Sequence, residues 1–97
     1  MNTFTTSELA LIEKQVLEIA IRIGNENAGF AGDANSKLIA PNVYELWEGA
    51  GHIVRLPDKF MVTFFGGDGW VYYTDDINEV LTKIREMDKF IMEQVPE

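Results

Sequence analysis

The sequence predicts an α+β domain: a three-stranded antiparallel meander with one helix before it and one after it, both helices on one face. Three observations carry this. Residues 60–74, FMVTFFGGDGWVYYT, crowd more than half of the chain's aromatic residues into two apolar runs around a glycine-rich break, which is the pattern of a β-hairpin. A third β-rich run, HIVRL, stands just upstream at 52–56. Apolar residues at helical spacing, preceded by capping residues, mark the regions on either side.

The first helix is expected over about 6–23. Thr5 and Glu8 fit a capping box, with Phe4 and Leu9 placed as its hydrophobic staple, and Gly24 is a natural stop. Leu9, Ile12, Val16, Ile19 and Ile23 form one apolar stripe; Ala10, Leu17, Ala20 and Ile21 widen it to about half the wheel. An arc that wide calls for cover by more than one element of the fold, or by a partner.

Residues 24–41, GNENAGFAGDANSKLIAP, read as a long loop with room for one helical turn near 35–39. Loops of this length in small domains are functional or mobile. Asp33 and Asn35 have the spacing that opens a calcium loop. The glycine at the sixth place and the glutamate at the twelfth are missing, so calcium is set aside. The segment 42–48, NVYELWE, fits a short capped helix ended by Gly49 and fits a strand as well; the helix is preferred because Gly49-Ala50-Gly51 resembles a stop.

The strands are expected at about 52–56, 60–65 and 70–74. Pro57-Asp58 suits a four-residue loop that pairs Arg55 with Phe60. Gly66 to Gly69 would pair Phe65 with Trp70. These registers put Ile53, Arg55, Phe60, Val62, Phe64, Val71 and Tyr73 on the face assigned to the helices. They put His52, Val54, Leu56, Met61, Thr63, Phe65, Trp70, Tyr72 and Thr74 on the other face. That second face is either a contact surface centred on Trp70 and Tyr72 or is covered by the preceding segments. The last helix is expected over about 76–94, with Asp76 and Glu79 as a second capping box and Ile77, Val80, Leu81, Ile84, Met87 and Ile91 as its stripe. Asp88 interrupts that arc and marks a place for a kink.

The chain reads as one domain over its 97 residues, without repeats or linkers. It has no cysteine, which removes disulfides, thiolate metal sites and cysteine nucleophiles. A single histidine, His52, makes zinc improbable and leaves Ser36 with no evident triad. Glu45/Glu48 and Asp75/Asp76 are close in sequence, but the first pair adjoins a loop and the second caps a helix. The glycine-rich break lacks the lysine of a phosphate loop. No catalytic residue, cofactor or metal is therefore assigned, and the chain is expected not to be an enzyme. A start without a basic or apolar leader, and no long apolar run, give the expectation of a cytoplasmic protein off the membrane.

Sixteen acids against eight bases give a net charge of −8. Such a field repels nucleic acid and draws basic surfaces. From Asp68 onward eight acids face three bases, a net of −5. Asp68, Asp75, Asp76 and Glu79 are expected together at one end of the sheet, as the acidic contact for a protein partner with a basic surface. The alternative is a structural protein that forms a homodimer through Trp70 and Tyr72.

A short, acidic, cysteine-free domain of helices and strands with no catalytic motif resembles the small phage-encoded inhibitors, anti-CRISPR proteins and DNA mimics among them. The resemblance implies a stoichiometric inhibitor of a bacterial nucleic-acid-targeting complex, whose acids meet lysines and arginines of the target. It carries no residue assignments of its own.

Overall fold

A computed structural model describes residues 3–26 and 36–94. Its elements are helix α1 (Thr6–Glu26), strands β1 (Lys37–Ala40) and β2 (Val43–Leu46), a 3-10 turn (Trp47–Gly49), strands β3 (Gly51–Arg55), β4 (Phe60–Phe64) and β5 (Trp70–Thr74), and helix α2 (Ile77–Gln94). The α+β class is as expected. The sheet has five strands rather than three, all antiparallel, in the order β1-β2-β3-β4-β5.

Helix α1 begins as its sequence dictates. The Thr5 N–H donates to Glu8 Oε1 at 2.9 Å, and the Glu8 N–H donates to Thr5 Oγ1 at 3.1 Å, so two of the helix's orphan donors are satisfied reciprocally. Glu8 Oε1 also meets Arg55 Nε at 3.2 Å, which ties the helix start to β3. Ring stacking of Phe4 on Phe60, with centroids 6.4 Å apart, anchors the same end.

The two added strands replace expected helix and loop. The segment 42–48 is not a short helix. Val43 to Leu46 alternate half-buried and buried along their length, which is the period of a strand. As a strand the segment gives its backbone groups to neighbours on both sides, which a single helical turn cannot do. Its expected helix stop survives only as the 3-10 turn. At the two ends of the expected loop 24–41, α1 runs to Glu26 and β1 occupies 37–40, where a helical turn was expected. The Asp33 and Asn35 reading lies outside the described residues.

One face of the sheet and both helices enclose a single core. Tyr44, Leu46, Ile53, Phe60, Val62 and Phe64 from the strands meet Ile12, Val16 and Ile19 from α1 and Val80, Ile84 and Met87 from α2. Gly51 belongs on this face because α2 passes close above it. A Cβ there would stand 2.9 Å from Met87 Sδ and 3.1 Å from the Thr63 carbonyl oxygen. Asp88 does not kink α2, which is continuous; its side chain is buried on the side facing α1.

The β3–β4 register pairs Arg55 with Phe60, as expected. The β4–β5 register differs by one residue, because Phe64, not Phe65, pairs with Trp70. Five residues, Phe65 to Gly69, form the loop. The Gly69 N–H closes it on the Gly66 carbonyl at 3.0 Å, and Gly69 itself sits at φ 75°, a left-handed conformation that a Cβ would penalise. A slip of one residue turns a whole strand over. Trp70, Tyr72 and Thr74 therefore face the helices, and Val71 and Tyr73 face away.

The facing assignment has a direct test. Ile53→Ala, at a fully buried position in β3, is expected to cost about 2–5 kcal/mol in urea unfolding. Val54→Ala, one residue along and on the opposite face, is expected to cost about 1 kcal/mol or less. Equal losses would mean that both faces are covered.

Candidate functional site

The two described helices cover one side of the sheet, and the other side is a broad surface in its own right. Register places Val43, Val54, Met61 and Tyr73 in one row across it, and Lys37, Glu45, His52, Thr63 and Val71 in the next. No element among the described residues packs on it. Phe65, Val71 and Tyr73 are the most exposed of its apolar residues, at 66%, 57% and 55%. Three large side chains held in water on one face are the kind of exposed apolar patch that marks an interaction surface.

One row of this face is mostly polar, with Lys37, Glu45, His52 and Thr63 beside Val71. His52 Nε2 lies 4.0 Å from Glu45 Oε2, and the Phe65 ring stands edge-on to the imidazole with centroids 6.0 Å apart. Lys59 Nζ lies 5.5 Å from the centre of the Tyr73 ring, in the range where a ring face attracts a cation. Ser36 is not near this histidine. It is buried on the helix side, where its Oγ accepts the Trp47 N–H at 3.2 Å. Among the described residues no group of three or more His, Cys, Asp or Glu side chains could hold a metal ion. None of their helices is long and apolar enough to cross a membrane.

Trp70 and Tyr72, expected at the centre of the open face, are instead half-buried beneath α2. Lys83 Nζ lies 4.3 Å from the Tyr72 ring centre and 5.4 Å from that of Trp70. The Tyr72 hydroxyl donates to Glu79 Oε2 at 3.1 Å, and the Thr74 hydroxyl donates to Glu79 Oε1. Glu79 thus fastens β5 to the first turn of α2. It does not complete a capping box: the Asp76 N–H goes to Thr74 Oγ1 at 3.0 Å, while Asp76 Oδ1 accepts the Asn78 N–H at 2.8 Å.

The four nominated acids are not one cluster. Asp75, Asp76 and Glu79 lie where β5 passes into α2. Asp68 lies in the β4–β5 loop, at the other end of the strand. Asp76 and Glu79 have structural duties, while Asp68 and Asp75 project at the two ends of β5 and are exposed. The residues missed by the sequence reading are Val71 and Tyr73. The available signal was Gly69, since a glycine just before a strand suits a five-residue loop that ends in a left-handed residue.

No family model, curated protein or solved structure matches the chain. The functional reading therefore rests on the surface itself.

The bond to Glu79 raises the pKa of the Tyr72 phenol above the ordinary 10.0, with smaller contributions from desolvation and from the Glu79 charge. The protonated phenol is the form the fold favours. Its stabilisation is therefore present below pH 10.0 and is lost as pH rises through the raised value. Glu79→Gln is expected to bring the Tyr72 midpoint back toward 10.0, read by NMR of labelled tyrosine rings. An unchanged midpoint would show that Glu79 is not the cause.

Proposed function

We propose that the chain is an acidic protein-binding module whose partner presents a basic surface. The observation that carries this is the uncovered sheet face, where Phe65, Val71 and Tyr73 are exposed on a chain with a net charge of −8. Apolar area supplies affinity, and the negative field selects and steers a positively charged partner. The aromatic rings add to the selection. Lys59 and Lys83 already rest against Tyr73, Tyr72 and Trp70, so ring faces in this protein accept cations.

The narrower form of this reading is a stoichiometric inhibitor of a bacterial nucleic-acid-binding complex, of the anti-CRISPR or DNA-mimic kind. The net charge and the lack of a catalytic motif support it. A literal row of phosphate mimics gains no support from the four nominated acids. Asp68 and Asp75 flank the five residues of β5 at opposite ends, a strand length on the order of 15 Å at about 3.3 Å per residue; Asp76 caps α2, and Glu79 is engaged by Tyr72 and Thr74. The form that fits the geometry is an apolar contact with acids at its margins. Homodimerisation through Trp70 and Tyr72 loses its residues to the core side; self-association would have to use Phe65, Val71 and Tyr73.

Capture from a bacterial lysate tests the reading. The immobilised chain is expected to retain basic proteins at about 0.05 M salt and to release them at about 0.5 M, where the Debye length falls to a few ångströms. An Asp68→Lys/Asp75→Lys double variant with an unchanged circular dichroism spectrum should retain at least tenfold less. Retention of the same proteins by the variant, or at high salt, would remove charge from the account.

A further inference from the structure

The sheet has two edges, and they are built differently. β1 is protected: it is four residues long, begins with Lys37, carries a register shift between Leu38 and Ala40, and is followed at once by Pro41. These are the usual means of blunting an edge against further pairing. β5 has none of them. It is five residues in regular register with β4, without proline, lysine or bulge.

Hydrogen-bond alternation shows what this edge offers. The Phe65 N–H donates to the Ala50 carbonyl at 2.8 Å, and the Leu56 N–H donates to the Lys59 carbonyl at 2.8 Å. The odd-numbered residues of β4 therefore bond toward β3, and Phe60, Val62 and Phe64 bond toward β5. Their partners Thr74, Tyr72 and Trp70 turn their backbone groups inward. The N–H and C=O of Val71 and Tyr73 point out of the sheet, and no described residue pairs with them. The same two residues carry the exposed side chains of the open face. Four backbone groups and two apolar side chains thus face solvent along one straight edge.

We propose that the free edge of β5 takes an extended, positively charged segment of a partner protein as a sixth antiparallel strand. Main-chain pairing would supply affinity and side-chain alternation would supply selectivity, as in other strand-addition complexes. Charge decides the occupant. In a two-fold antiparallel pairing of β5 with a second copy, the acids that flank the strand, Asp68 before it and Asp75 and Asp76 after it, would be brought toward one another at both ends, so like charges would meet. A foreign strand with Lys or Arg at its ends meets Asp68 at one end and Asp75 and Asp76 at the other, where Lys59 offsets part of the charge. Its middle must be uncharged, because Lys83 already lies over Tyr72 and Trp70. This inference rests on the reading of the chain as a binder of basic proteins and adds the mode of binding.

The test uses the full chain and a capped seven-residue peptide, Lys-Thr-Val-Thr-Val-Thr-Lys, followed by NMR. In antiparallel register its two valines lie opposite Tyr73 and Val71. Binding is expected to shift the Val71 and Tyr73 amides and to slow their exchange at least tenfold. N-methylation of the two valine amides should weaken binding at least tenfold, whereas N-methylation of the central threonine, which faces away from β5, should leave it within twofold. Val71→Pro, which removes an outward N–H while sparing the bonds to β4, should match the methylated valines. If both methylated peptides bind alike, strand addition is overturned while the basic-partner reading stands. If the same peptide ended in glutamate binds equally well, the basic-partner reading fails and the edge remains. No amide shift at millimolar peptide overturns the edge as a docking site. A dimer in sedimentation that Val71→Pro abolishes would assign the edge to a second copy instead.

Discussion

The structure depends on the two-residue alternation of a sheet that, among the described residues, is packed on one side only. Once both helices lie on the same face, every strand must send one set of side chains into the core and leave the other in water. The pairing chosen at each hairpin then decides which residues are structural and which are available for binding. At β4–β5 the decision falls to the loop from Phe65 to Gly69. Five loop residues instead of four exchange Trp70 and Tyr72 for Val71 and Tyr73 on the outer surface.

The same constraint divides the acids by role. Glu8 closes the α1 cap and holds Arg55. Glu79 accepts the two hydroxyls of Tyr72 and Thr74, and Asp76 caps α2. These carboxylates connect helices to strands, and their charge is partly spent inside the molecule. Asp68 and Asp75 lie at the ends of β5 and leave their charge to the surroundings. A net charge alone does not make this distinction; the placement of each carboxylate relative to an N–H or a hydroxyl does.

Much of the fold was legible in the residues. The α1 cap, the β3–β4 register, the positions of both helices and the last three strands follow from capping chemistry and apolar period. The first two strands were hidden for different reasons. Val43 to Leu46 is too short for its period to separate strand from helix, and Gly49 suggested a helix end. Lys37 to Ala40 has largely exposed side chains, so it leaves no burial pattern to read; it is a strand because β2 offers it an edge. The site was legible in kind, as an aromatic sheet face with acids nearby. It was not legible residue by residue, because a single extra position in a glycine-rich loop reverses the faces of the strand that follows.

Each strand lies beside the one that follows it in the chain, from β1 through to β5. Joining such neighbours requires only short loops to close, so little chain entropy is lost before the first pairings form. The meander can therefore zip hairpin by hairpin from its centre. α1, far away in sequence from β3 and β4, reaches them through Phe4 on Phe60 and Glu8 on Arg55. Sequential strand order thus keeps the pairings of the sheet local along the chain, while closing the core joins parts of the chain that are distant.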